Sequence, residues 1–296
     1  MYREPFFYAR RYAPHRDRTH GRSSAGVPRQ RFVVAAQNHD QVGNRPLGER
    51  IASLVPPDRQ RLAAALVLLS PYIPLLFMGE EYGETAPFLY FIEHGDKELV
   101  EAVRSGRRRE FEALGLPASA ASDPQSEETF ARARLDWERR ESGPGALLLA
   151  LYGDLLALRR EEPTLKPGAS VVHVEGSADW CTQLRSMPLQ GDIFDSVRAQ
   201  RTLWCAFNLT GRAQDIPVPA EAPYGWRVRL STDESTYGGV GMTTAIVPPS
   251  DDAPASDGPK RLIAASAPVE HRARTVRLAP WSAAVYVRDF EDGSIT

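Results

Sequence analysis

Cysteine is almost missing from this chain. Among 296 residues only Cys181 and Cys205 carry thiols, and their separation is not that of metal ligands. This excludes a disulfide-stapled scaffold and points to reduced, mostly buried thiols in a cytoplasmic protein. A dominant charge is lacking as well. The formal net charge of −2 offers no electrostatic reason to bind nucleic acid or an anionic membrane. Arg10, Arg11, Arg16, Arg18 and Arg22, and the run Arg107, Arg108 and Arg109, read as solvated basic faces. No apolar run is long and unbroken. Leu62 to Met78 is interrupted by Ser70-Pro71-Tyr72 and by Pro74, which makes it a helix and then a strand, not a membrane span. Residues 1–31 are polar, aromatic and Arg-rich, without a secretory apolar region. No internal repeat is present. His94, His173 and His271 are isolated, so no metal and no other cofactor is expected.

What is present begins with Phe32-Val33-Val34-Ala35-Ala36-Gln37-Asn38-His39-Asp40-Gln41. A run of β-formers ending abruptly in hydrogen-bonding residues predicts a parallel strand over 32–37, covered on both faces. Its carboxyl end is where (β/α) barrels place their chemistry. A carboxylate, an imidazole and amides on consecutive positions suit a network of sugar hydroxyls. Before it, residues 2–30 are rich in turn formers and are read as a long structured loop anchored by Phe6, Phe7, Tyr8 and Tyr12. Arg18, His20 and Arg22 lie there, a surface basic cluster in the simpler reading and an oligosaccharide contact in the other.

A turn around Gly43 and Pro46 precedes a helix at about 58–70, opened by Pro56-Pro57-Asp58, and a second apolar strand over 73–78. Strand, helix and strand with polar tips at one end form a βαβ unit. Helices are expected at 97–113, 127–133 and 145–161, with a Pro/Ala/Ser-rich connection at 115–126. From Ser170 the texture changes to short β-runs at 171–175, 203–208, 226–231, 275–278 and 283–288, with a flexible loop at 249–260. That pattern predicts an antiparallel β-sandwich. The domains are therefore set at 1–165 and 166–296. An α/β barrel needs eight strands, and the first part supplies two. It reads as the end of a barrel, an α/β piece followed by an all-β domain.

Gln37-Asn38-His39-Asp40-Gln41-Val42-Gly43-Asn44-Arg45 resembles the end of the seventh barrel strand in the α-amylase superfamily, and the malto-oligosyltrehalose trehalohydrolase family in particular. Leu75 to Gly83 with Pro87 to Phe91 resembles that family's eighth strand and following loop. Val103 to Phe111 and Thr129 to Trp137 extend the resemblance, which is dense over residues 6–165 and looser beyond. It implies the last two βα units of a TIM (β/α)8 barrel. It also implies retaining hydrolysis of the α-1,4 bond beside a terminal trehalose unit, on a malto-oligosyltrehalose or related α-glucan oligosaccharide. By the same resemblance Asp40 matches the carboxylate that orients sugar hydroxyls and stabilises the transition state, and His39 matches a histidine bonding the same sugar. Asn38 would hold the loop or a hydroxyl, with Gln37, Arg45 and Glu80 lining the cleft.

The nucleophile aspartate and general-acid glutamate of the superfamily lie upstream of the matched blocks. The chain taken alone is therefore expected to be inactive, a portion of a larger enzyme. A branching or debranching enzyme of the same superfamily, and a carbohydrate-binding fragment complementing a partner chain, are the alternatives. Glu80 and Glu81 also fit a solvated strand terminus. Trp137 is read as a buried anchor rather than a sugar platform, and Trp204, Trp226 and Trp281 as core. Nothing in the sequence addresses oligomeric state.

Overall fold

The computed structural model describes residues 2, 4–6, 8–113, 115–117, 119, 121–166, 168, 170–187, 202–219, 225–241, 246–247 and 274–288. The chain divides into two compact units, Met1–Ser170 with Glu234–Val240, and Val171–Asp233 with Gly241–Thr296. A single cut after residue 165 misses the return of Glu234–Val240. That segment is held in the first unit by the Tyr237 hydroxyl, which donates to Asp154 Oδ2 at 2.7 Å. The loop expected at 249–260 and His271 lie outside the described residues.

In the first unit, the stretch expected to be a loop contains a small antiparallel hairpin, β1 (Arg11–Ala13) with β2 (Arg18–His20). Then β3 (Val33–Val34) pairs in parallel with β4 (Ile73–Pro74). Both expected strands are thus cut to two residues. Pro74 has no N–H to give, so the pairing rests on Ile73 N to Phe32 O at 2.9 Å and Leu75 N to Val34 O at 2.8 Å. The strand pair leaves Val33, Ile73 and Leu75 exposed, while Val34 is buried.

Between the strands run α1 (His39–Gly43), α2 (Ile51–Leu54) and α3 (Pro57–Leu68). The first two are short turns that no apolar periodicity announces. Pro57 begins α3 where a missing N–H is harmless, and Leu62, Ala65 and Leu68 bury its inner face. After α4 (Lys97–Ala113) and α5 (Glu127–Ala133) comes α6 (Gly143–Glu161). Leu148, Leu151, Tyr152, Leu155 and Leu158 fall at helical spacing on one buried face of α6. That face packs against α3 and the turn at Glu80–Tyr82. Arg159 closes the far end of α3, its Nη1 donating to Leu68 O at 2.7 Å and Ser70 O at 2.9 Å. No described helix is long and apolar enough to cross a membrane.

The second unit holds β5 (Val171–Gly176), β6 (Trp180–Ser186), β7 (Thr202–Asn208), β8 (Gln214–Pro217), β9 (Arg227–Ser231), β10 (Ile246–Val247), β11 (Thr275–Leu278) and β12 (Ala283–Arg288). They form a five-stranded antiparallel sheet in the order β5-β6-β7-β12-β9 and a three-stranded one in the order β10-β11-β8. Side chains two apart on a strand share a face. Trp204 and Ala206 of β7 thus meet Ala284 and Tyr286 of β12, and one core cluster also takes Ile216 of β8 and Val276 and Leu278 of β11. Trp204 is wholly buried, whereas Trp226 and Trp281 are half-buried. Strand β6 buries two polar residues, Gln183 and Arg185, with Arg185 Nε donating to Gln183 Oε1 at 3.2 Å. Cys181 and Cys205 are free thiols, and burial pushes the Cys181 thiol up to about 11.

Candidate functional site

The polar tip after β3 is a helix start. Asn38 is extended and its Oδ1 accepts from Gln41 N at 2.9 Å, the N-cap that turns the chain into α1. His39 and Asp40 follow on the first turn, with side chains 71% and 75% exposed. His39 Nε2 lies 3.2 Å from Asp40 Oδ1. The cap and the exposed carboxylate therefore fall on separate residues of one turn. Asn38 fixes the backbone, and Asp40 presents a carboxylate able to accept from hydroxyls.

Gln37 and Glu80 do not line a cleft, contrary to expectation. Gln37 is 5% exposed and Glu80 4%. Gln37 Oε1 accepts from Ile51 N at 2.9 Å. Glu80 Oε1 accepts from the Tyr152 hydroxyl at 2.9 Å, and Oε2 from Phe77 N at 3.4 Å. Gly79, in the left-handed region at φ 84°, turns the chain inward so that Glu80 enters the interior rather than a solvated strand end. Burial pushes the Glu80 carboxyl above the usual carboxylate range, opposed by the Tyr152 and Phe77 hydrogen bonds.

Arg45 Nη2 pairs with Glu49 Oε1 at 3.2 Å, and Arg45 lines an open cleft of about 330 Å³ with Arg107, Glu110 and Phe111. Two charged residues central to this region had no signal in the sequence. Arg50, 1% exposed, donates through Nε to Ala86 O at 2.6 Å and through Nη1 to Met78 O at 2.7 Å, and its guanidinium lies 4.8 Å from the Phe77 ring centroid. Glu84, also 1% exposed, accepts from Thr85 N, Ala86 N and Asp136 N at 2.8, 2.7 and 2.7 Å. A lone arginine after Gly48-Glu49 looks like surface, and only tertiary structure reveals otherwise. Burial, with Glu84 and Glu81 nearby, pushes the Tyr82 phenol up to about 12.

Trp137 is not the buried anchor that was expected. It is 53% exposed, with Tyr82 at 6.0 Å and the Arg140 guanidinium 5.0 Å from its ring. The cause is local. Asp136 Oδ1 accepts from Glu138 N, capping a short turn that projects the indole outward. A separate cavity of about 420 Å³ is bordered by Pro57, Gln60, Tyr82, Arg139 and Tyr237, and does not reach Asp40. Arg18 and Arg22 are exposed, and His20 stands edge-on to Tyr8. Among the described residues no group of His, Cys, Asp or Glu could hold a metal ion.

Comparison with known proteins gives this geometry a context. No family model matches the chain. A malto-oligosyltrehalose trehalohydrolase of Rhizobium sp. (strain M-11) is 45% identical over 165 residues, which are 55% of this chain and 28% of that protein. Its namesake in Mycobacterium tuberculosis (strain H37Rv) is 35% identical over 237 residues, 79% of this chain and 39% of the relative. A crystal structure of a candidate α-amylase from Salmonella typhimurium superposes with a TM-score of 0.66 at 28% identity, over 97% of this chain and 40% of its own. The chain thus spans roughly a third of the length of the relatives it matches.

Proposed function

Starting from this kinship with the malto-oligosyltrehalose trehalohydrolases of the α-amylase superfamily, we propose that the chain is the C-terminal portion of such a glycoside hydrolase. The parent enzyme releases trehalose from malto-oligosyltrehalose by cutting the adjacent α-1,4-glucosidic bond. In this reading the first unit supplies the last two βα units of the barrel, and the second is an antiparallel β-sandwich. The exposed Val33, Ile73 and Leu75 support it, since a closed barrel would cover them. The free thiols Cys181 and Cys205 suit a cytoplasmic setting.

The observation that carries the proposal is Asp40, an exposed carboxylate on a capped helix turn at the carboxyl end of β3. There it accepts two sugar hydroxyls, and His39 bonds the same ring. Those bonds strengthen as the ring flattens and gains oxocarbenium character, which is how such a group lowers a barrier. Asn38 and Arg45 shape the approach. No motif of this chain matches the superfamily's nucleophile or acid, so the reading assigns it one carboxylate of three.

The test has two arms. In an enzyme joining this chain to a complete barrel, Asp40→Asn lowers kcat on maltotriosyltrehalose by about 10²- to 10³-fold, the usual cost of one preorganised electrostatic contact. The 296-residue chain by itself releases no trehalose. Trehalose release by that chain at the parent enzyme's rate would overturn the assignment, and so would an unchanged kcat for Asp40→Asn. Cleavage confined to branched glucan would move the parent enzyme to a different reaction in the same superfamily.

A further inference from the structure

The cavity of about 420 Å³ between α2, α3 and the start of α6 takes no part in the role given to Asp40, and its lining is polar in a particular way. Its size falls within the ~300–1,000 Å³ of small-molecule sites. Arg61 and Arg139 both border it, and among the described residues lining it none is acidic. Arg139 Nη2 donates to Gly83 O at 3.3 Å, and among the described residues no carboxylate pairs with its guanidinium. Arg61 Nη1 stands 3.8 Å from where a Cβ on Gly238 would lie, so it too reaches the wall. Pro144 and Gly145 bring in the first turn of α6, where the Ser142 side chain caps nothing and the helix end keeps its partial positive charge. We propose that this cavity binds a small polyol carrying an oxyanion, a sugar with a phosphate or carboxylate group.

The two halves of that ligand answer to different groups. Guanidiniums without a carboxylate partner call for an oxyanion, which they hold by charge-assisted hydrogen bonds. Gln60 calls for a hydroxyl. Its Nε2 donates to Val55 O at 3.0 Å and to Ala52 O at 3.5 Å, which fixes the orientation of the amide. Gln60 Oε1 therefore faces away from α2, 3.0 Å from where a Cβ on Gly83 would lie, and has no partner among the described residues. A carbonyl oxygen can only accept, so it repels an oxyanion and suits a hydroxyl. The hydroxyls of Tyr82 and Tyr237 already donate, to Glu84 Oε2 at 3.3 Å and to Asp154 Oδ2 at 2.7 Å. Their rings, with Pro57 and Leu147, leave an apolar wall for the C–H face of a sugar. A bare inorganic anion would leave Gln60 Oε1 unmet, and a neutral sugar would leave Arg139 unmet. The inference stands apart from the reaction proposed above.

Titration calorimetry tests this on an enzyme that joins this chain to a complete barrel, with glucose 6-phosphate and glucuronate as probes against inorganic phosphate and glucose. At least one of the two charged sugars binds about 10-fold or more tightly than inorganic phosphate or glucose, and the order of the two identifies the oxyanion. Arg139→Ala weakens that binding by about 10- to 100-fold, and Arg139→Lys, which keeps the charge, by less. Leu147→Trp, at a position 37% exposed, fills the cavity and abolishes binding. Asp40→Asn leaves the affinity unchanged. The inference falls if neither charged sugar binds, or if inorganic phosphate or glucose binds as tightly. It falls too if Arg139→Ala and Leu147→Trp leave the affinity as it was. Weakening by Asp40→Asn to the same degree would place the ligand in the catalytic cleft and be equally fatal. Should Arg139→Ala fail to fold, Arg139→Lys and Leu147→Trp decide the matter, and unchanged affinity in both overturns the site. Failure of the trehalohydrolase reading looks different, because the unsubstituted enzyme then releases no trehalose whether or not the charged sugars bind.

Discussion

Gly79 and Glu84 approach so closely that a Cβ on Gly79 would lie 2.6 Å from the Cβ of Glu84. Gly79 also sits at φ 84°, in the left-handed region. The close approach lets Glu84 collect backbone N–H groups from Thr85, Ala86 and Asp136. Gly79→Ala meets both the conformational penalty and the steric one, and costs at least about 2 kcal/mol in urea denaturation. Gly106, in α4 with nothing within 4 Å of its would-be Cβ, is the control. Gly106→Ala stabilises by about 0.5–1 kcal/mol, since the helix then gains propensity at no steric cost.

The elevated pKa of Glu80 has a consequence of definite sign. Below the ordinary glutamate value, about 4.3, the group is protonated in both folded and unfolded chains. As pH rises past that value the unfolded chain ionises first, and the stabilisation is lost until the folded-state pKa has been passed. Glu80 is therefore expected to make stability fall with rising pH, starting above about 4. Urea midpoints measured across that range show the effect as the difference between the protein and Glu80→Gln, whose residue 80 does not titrate. A difference that grows in the opposite direction would contradict burial as the dominant cause.

Asn38 is predicted to act through the backbone of α1. Asn38→Ala removes the acceptor for Gln41 N and costs about 1 kcal/mol of local stability, while Asn38→Asp retains the cap. Amide exchange across residues 39–43 resolves the two, with faster exchange in the alanine variant alone. Because α1 is only a turn long, it has little other support.

Val33, Ile73 and Leu75 are 59%, 41% and 40% exposed on a two-stranded parallel pair. Contiguous apolar strand surface of this kind drives association. The double variant Val33→Thr/Leu75→Thr keeps β-propensity and lowers the self-association of the 296-residue chain, read by sedimentation velocity. In a complete barrel the same substitutions destabilise, because these positions then face a packed layer.

Much of this was legible in the sequence, for identifiable reasons. Helices α3 and α6 announce themselves because apolar periodicity is a local property, and α4 through its strongly charged, helix-favouring run. The runs of β7 and β12 are plain because both faces are buried and the composition follows, and that of β11 because buried Val276 and Leu278 alternate with exposed Arg277. Strand β6 gives no such signal, since buried Gln183 and Arg185, joined by a hydrogen bond, mimic an exposed polar segment. The lengths of β3 and β4 were overestimated, because pairing depends on neighbours that apolar runs do not specify. Asn38, His39 and Asp40 stand out from one short motif at the end of a β-run. The burial of Gln37 and Glu80, and the whole role of Arg50, depend on contacts tens of residues apart and leave no local trace.

The return of Glu234–Val240 to the first unit bears on how such a protein can be altered in evolution. The chain crosses between units after Ser170, again after Asp233, and a third time after Val240. Exchange of the second unit between relatives by one recombination event near Ser170 would import a foreign Tyr237 along with it, facing the resident Asp154. The pair is thus inherited across a unit boundary. Successful chimaeras will be those in which the incoming segment still offers a hydroxyl at that position.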